Sequence, residues 1–191
     1  MPCRAKWIFL MKMLTDNRRY DGEADVFSLD YEGRGVARVD GKALFIEGAM
    51  PGERVRFEII RSKKQFDEAR VIDIIRYSEN RVKPKCRHFD TCGGCSIQHI
   101  DPTAQIAFKQ RIMEEQLERI GKIRPEQILP AIYGTPWHYR DRARLSISKD
   151  AGGRLKIGFK AKKSHEVIDV DSCMVLPAHI SEKLPKIKQM L

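Results

Sequence analysis

A chain of 191 residues, 42% of them hydrophobic, is long enough for two small domains with modest cores. Its formal net charge of +10 points to a polyanionic partner such as nucleic acid. With only 8% aromatic residues and no apolar run approaching the roughly 18 residues that span a bilayer, a membrane partner is excluded and a soluble, cytoplasmic protein is expected.

The opening Met1 to Leu14 holds Trp7-Ile8-Phe9-Leu10-Met11 behind Arg4 and Lys6. Lys12 interrupts that run and the polar Thr15 to Asp21 offers no small-residue cleavage site, so residues 1–20 read as a flexible or non-native extension, with Met11 or Met13 as the initiator. Short strands follow at Asp25–Leu29, Gly35–Val39, Ala43–Ile46, Arg54–Ile60 and Glu68–Ile75. Asp40-Gly41 between two of them is a hairpin signal, because a type I′ turn needs the positive φ that Asp and Gly tolerate. Val55, Phe57 and Ile59 alternate with Arg54, Arg56 and Glu58, giving one buried and one wet face. These elements predict an all-β, OB-like barrel over residues 21–80, a fold that often binds oligonucleotides. Its basic loop Arg61–Gln65 offers Lys63 and Lys64 to such a ligand.

Asn80 to Lys85 reads as an extended linker into Cys86, Cys92 and Cys95, with Gly93-Gly94 letting the backbone wrap closely. Cys173 supplies a fourth thiol, leaving Cys3 over in the extension. Four thiolates close a tetrahedral zinc site or hold a 4Fe-4S cluster, and His88 or His99 could replace one of them at zinc. Disulfides suit neither the clustered spacing nor a chain without secretory context.

Asp101-Pro102 predicts a helix start and Gly121 its end, with Ile106, Met113, Leu117 and Ile120 as a stripe packed on the core. From Tyr139 to Ser148 alternation predicts a strand with Arg140, Arg142 and Arg144 on one face. Leu155–Lys160 is its hairpin partner after Gly152-Gly153, and Val167–Val170 is a third strand that delivers Cys173 to the other thiols. The arginine row, with Lys160, Lys162 and Lys163, predicts a phosphate-binding face, beside which Trp137, Tyr139 and Phe159 could stack on splayed bases. Ile180, Leu184, Ile187 and Leu191 show helical spacing to the last residue.

Tyr31-Glu32-Gly33-Arg34-Gly35-Val36-Ala37-Arg38 with Pro51-Gly52-Glu53-Arg54-Val55 resembles a TRAM domain, a small RNA-binding barrel. Cys86-x5-Cys92-Gly93-Gly94-Cys95, Tyr139-Arg140-Asp141-Arg142-Ala143-Arg144-Leu145-Ser146, Gly158-Phe159-Lys160 and Asp171-Ser172-Cys173 are together similar to the bacterial 23S ribosomal RNA uracil-5-methyltransferases of the RumA/RlmD type. The resemblance implies a 4Fe-4S cluster on Cys86, Cys92, Cys95 and Cys173, within a small α+β domain spanning 81–178, and 23S ribosomal RNA as partner. It also implies that residues 179–191 begin a helix leading to a methyltransferase domain, downstream or on a separate chain. In that Rossmann-like domain family members bind S-adenosylmethionine and carry the cysteine nucleophile that adds to uracil C6 and the carboxylate base. No glycine-rich cofactor fingerprint stands in these residues, so this chain alone is expected neither to bind S-adenosylmethionine nor to transfer methyl. The alternative is a non-enzymatic, zinc-containing RNA-binding module or ribosome-associated factor.

Overall fold

The computed structural model describes residues 20–191, so the expectations for the extension and for Cys3 lie outside the described residues. The chain divides into two compact units, one from residue 20 to Asp30 with Arg34–Ser78, the other Tyr31–Gly33 with Glu79–Leu191.

Six strands build the first unit: β1 Gly22–Asp25, β2 Ser28–Leu29, β3 Gly35–Val39, β4 Lys42–Glu47, β5 Arg54–Ser62 and β6 Phe66–Arg76. Their order is β1-β5-β6-β4-β3-β2, with β4 and β6 parallel and every other pair antiparallel. Only Val26-Phe27 separates β1 from β2, and their N–H groups donate to Glu53 O at 2.8 Å and Val36 O at 3.0 Å. One run of chain therefore supplies both edges of the sheet, which closes it into a barrel of OB topology with no free edge. Asp40 and Gly41 take φ of 50° and 79°, the expected type I′ geometry.

The interior is narrow because small side chains line it: Ala24, Ala37, Ala49 and Ala69 sit among Val26, Leu44, Ile46, Val55 and Phe57. A Cβ on Gly35 would stand 2.8 Å from both Ala49 Cβ and Val26 Cγ1, so this wall admits only glycine. Register shifts between Arg54/Val55, Arg56/Phe57 and Ile59/Arg61 bend β5 around β6. β5 runs on through Arg61 and Ser62, so the expected basic loop shortens to Lys63–Gln65, closed by Lys63 N–H to Phe66 O at 3.0 Å.

The second unit holds an antiparallel sheet of β7 Ser146–Lys149, β8 Leu155–Lys160 and β9 Val167–Asp169. With it go three helices, α1 Pro102–Arg119, α2 Ala178–Ser181 and α3 Leu184–Gln189. Gly158 lets β8 approach β9: a Cβ there would lie 2.0 Å from Ile168 O. Val170, Leu176 and Leu184 form a small core with half-buried Leu145, Ile168 and Cys173 against it.

Three expectations are corrected in this unit. The arginine strand does not form, and β7 begins only at Ser146. The edge of β8 that a longer β7 would occupy is taken by the cysteine loop, through Gly93 N–H to Lys160 O at 2.9 Å and a bridge between Cys92 and Ala161. Helix α1 begins as expected, with Asp101 Oδ1 accepting the N–H groups of Thr103 at 2.9 Å and Ala104 at 3.4 Å. Its stripe is not packed on a core, since no residue of α1 is buried. The terminal helical pattern breaks in two because Pro185, in the first turn of α3, has no N–H to extend α2.

Candidate metal centre

The neck of the cysteine loop is a short backbone pairing: Val82 N–H donates to His99 O at 2.9 Å and Asp101 N–H to Asn80 O at 2.8 Å. Residues that read as an open linker thus clamp the two ends of the loop. Inside it, Phe89 N–H reaches Cys86 O at 3.2 Å and Cys92 N–H reaches His88 O at 2.7 Å, a tight turn that buries Cys92. Lys162 N–H to Thr91 O at 3.0 Å and the Gly93 bond to Lys160 fasten this turn to the end of β8. A Cβ on Gly93 would stand 2.9 Å from Lys160 O, so the close approach needs glycine. At Gly94 a Cβ would meet Cys92 Sγ and the Phe159 ring at an ordinary 3.5 Å.

Cys86, Cys92, Cys95 and Cys173 line one cavity together with Arg140 and Phe159. The four come from opposite ends of the unit, as the sequence spacing anticipates. Cys173 N–H is held by buried Ser181 Oγ at 2.8 Å, so α2 positions the far thiol. Among the described residues no group of three or more His, Cys, Asp or Glu side chains is arranged to hold a metal ion. None of the four thiols is in a disulfide. Burial pushes the Cys92 thiol up, Gly94 N–H at 3.4 Å from its Sγ opposes this, and charge on the other three cysteines would push it further. Burial likewise raises Cys95, against a hydrogen bond from Gln98 and the positive charge of Arg140. Gathering negative charge on these sulfurs is therefore unfavourable unless a cationic group shares the cavity. His88 lines the same cavity; burial and the neighbouring Arg87 lower its pKa, favouring a neutral ring. The buried His99 ring packs on Phe89, with centroids 5.6 Å apart.

An ion network braces the site. Arg87, next to Cys86, pairs with Asp171 at 2.7 Å, two residues before Cys173. Lys188 of α3 reaches Asp169 at 2.6 Å and Asp171 at 2.8 Å. The Lys188 ammonium holds Asp171 below the usual carboxylate range. Burial would raise Asp169, but Lys188 and Ile157 N–H bring it below that range too. Arg87, Lys188 and Ser181 do not stand out in the sequence, and Asp171 does so only within the Asp171-Ser172-Cys173 string; the one signal for Arg87 is that it follows Cys86.

The basic residues are dispersed more than the alternation suggested. Arg140 sits at the thiol cavity, its N–H bonded to Val175 O at 2.8 Å. Lys160 and Lys162 flank the thiol turn, Lys162 Nζ standing 4.5 Å from the centre of the Phe89 ring, with Lys163 exposed beside them at φ 53°. Arg142 and Arg144 are exposed in the irregular run before β7. In the barrel unit, Lys63 Nζ lies 4.6 Å over the Phe66 ring and 3.8 Å from Glu68, while Lys64 is exposed. The barrel exterior also carries a stack the alternation did not flag: Arg34 over Phe45 at 5.0 Å, and Phe45 edge-on to Phe66 at 5.3 Å.

Residues 22–72 match the family model of the TRAM domain. The 23S rRNA (uracil(1939)-C(5))-methyltransferase RlmD of Neisseria lactamica is 60% identical over 168 residues, covering 88% of this chain and 37% of that protein. The protein of the same name from Azoarcus sp. is 50% identical over 169 residues, covering 88% of this chain and 39% of its own length. The crystal structure of Pyrococcus abyssi tRNA (uracil-54, C5)-methyltransferase in complex with S-adenosyl-L-homocysteine matches with a TM-score of 0.60 and 25% identity, over 87% of this chain and 36% of that one.

The barrel is a TRAM domain, and it is followed by a cysteine-bearing α+β unit. Over nearly nine-tenths of its length the chain is similar to 23S rRNA (uracil-C5)-methyltransferases, and it spans a little over a third of the length of the curated relatives it matches.

Proposed function

We propose that this chain is the RNA-gripping portion of an S-adenosylmethionine-dependent 23S rRNA (uracil-5-)-methyltransferase, with a TRAM barrel over residues 21–80 and an iron-sulfur domain over 81–178. Residues 179–191 lead towards the methyltransferase domain, which carries S-adenosylmethionine. The observation that carries the reading is the shared cavity of Cys86, Cys92, Cys95 and Cys173. Its donor set fits a 4Fe-4S cluster: sulfurs from both ends of the unit, a backbone N–H aimed at Cys92 Sγ and the Arg140 cation alongside. A cluster held by these residues would supply rigidity and charge balance, since base methylation moves no electrons. Arg140, Lys160 and Lys162 lie around the same loop, so ordering the thiols orders a cationic surface, which Arg142, Arg144 and Lys163 extend. Lys63 and Lys64 give the barrel its own phosphate contacts.

Binding of a 23S rRNA fragment by the loaded and the chelator-stripped chain tests the reading. The loaded chain binds with steep salt dependence, and stripping weakens binding on the order of tenfold or more. Equal binding by both forms contradicts it. Stoichiometric zinc without iron in the loaded chain would favour the zinc-containing RNA-binding module or ribosome-associated factor instead.

A further inference from the structure

The segment running from α1 to Tyr133 has the wrong chemistry for RNA and the wrong exposure for a free surface. Lys109, Arg111, Arg119, Lys122 and Arg124 balance Asp101, Glu114, Glu115, Glu118 and Glu126, so residues 101–133 are electrically neutral within a chain of net charge +10. Its apolar side chains face solvent: Met113, Ile123 and Ile128 are exposed, Ile120 is 79% exposed, Leu129 69%, and Ile132 is fully open. α1 has no buried residue at all, although its cap is well made. Arg111 pairs with Glu115 along the helix at 3.0 Å and Gln110 donates to Glu114 at 2.9 Å, which satisfies polar groups internally, while Ile106, Phe108, Ile112 and Leu117 are only half-buried. Exposed apolar side chains gathered along one segment mark an interface.

We propose that α1 and residues 120–133 form the docking surface for the methyltransferase domain that makes up the remaining length of the relatives. The occupant follows from two facts. The relatives continue well beyond the region shared with this chain, which covers 37–39% of them, so a large protein partner is available in cis. The surface carries exposed apolar side chains and no net charge, unlike the basic surroundings of the thiol loop, so it fits a protein face better than a phosphate backbone. The inference rests on the family reading but not on the metal or the RNA contacts.

The test is hydrogen exchange on two proteins: this chain alone, and a full-length chimera in which it replaces the matching 168 residues of the Neisseria lactamica relative. Amides of α1 and residues 120–133 are expected to exchange about tenfold or more slowly in the chimera, while the barrel is unchanged. Leu129→Asp with Ile132→Asp should abolish that protection and split the chimera's thermal unfolding into two transitions. Both positions are exposed, so the same pair should leave the melting of the isolated chain unaltered. Equal exchange in both proteins, or protection that survives the double substitution, overturns the proposal. Concentration-dependent protection in the isolated chain also overturns it, because the occupant would then be a second copy. Iron content and RNA affinity of the chimera are read separately; if they fail while protection holds, the proposed function falls and this interface stands.

Discussion

The two units are stabilised by different means. The barrel closes through the β1–β2 run, whose two strands stand at opposite ends of the sheet order, and Leu44, Ile46, Val55 and Phe57 fill its axis with alanines between them. The cysteine unit has a three-stranded sheet, a core of Val170, Leu176 and Leu184, and long stretches with little burial. Its distant ends meet at the thiol cavity and at the Arg87–Asp171–Lys188 network. One unit is built on buried apolar surface; the other has much less of it, so the proposed cluster would be its main tie.

That contrast is broken most severely by Cys92→Ser. Limited proteolysis should cut residues 79–191 of the anaerobically prepared variant within the time that leaves the parent intact, while the barrel's unfolding transition stays in place. Equal resistance of parent and variant would mean that the thiols do not hold the unit together. The opposite dissection is Ile46→Ala, which opens a cavity in the barrel and should cost about 2–5 kcal/mol there without changing the metal content of the other unit. Loss of metal in this variant would show the two units to be one cooperative structure.

Much of the barrel was legible because its physics is local. A period of two, an Asp-Gly turn and Gly/Pro punctuation locate its strands to within a few residues. The barrel's closure was less visible, since it depends on Val26-Phe27 serving both edges at once. That four thiols could share a site was legible from their chemistry; that Cys86, Cys92, Cys95 and Cys173 line one cavity is what the structure adds. The arginine row could not be placed, because alternation from Tyr139 predicts a strand and says nothing of competition for the edge of β8; Gly93 wins that edge. For α1 the stripe was read as core packing, but periodicity cannot tell a buried face from one that is only half-covered, as Ile106 and Leu117 are. At the C-terminus Pro185 was the overlooked signal, and a 3.6-residue spacing across it gave one helix where there are two.

Smaller effects sharpen the comparison. Arg142→Glu with Arg144→Glu should lower the slope of log affinity for the rRNA fragment against log salt by about one to two and leave melting unchanged. An unaltered slope removes these residues from the RNA surface. The weakest effect is the Lys42–Asp67 pair at 2.6 Å, where Asp67 also accepts from Ser62. The Lys42 hydrogen bond holds the Asp67 carboxyl below its ordinary value. Because the folded value is the lower one, the stabilisation is present above the unfolded value and disappears as pH falls through the folded one. Asp67→Asn should therefore be slightly less stable than the parent at neutral pH and equal to it in strong acid; a difference that persists in acid would place the effect elsewhere.

The most direct test of the central claim is the iron, acid-labile sulfide and zinc content of the chain purified without oxygen. The account predicts about four iron and four sulfide per chain with absorption near roughly 400 nm, all lost together in Cys173→Ser. Iron and sulfide retained in full by Cys173→Ser, or stoichiometric zinc in their place, would contradict it.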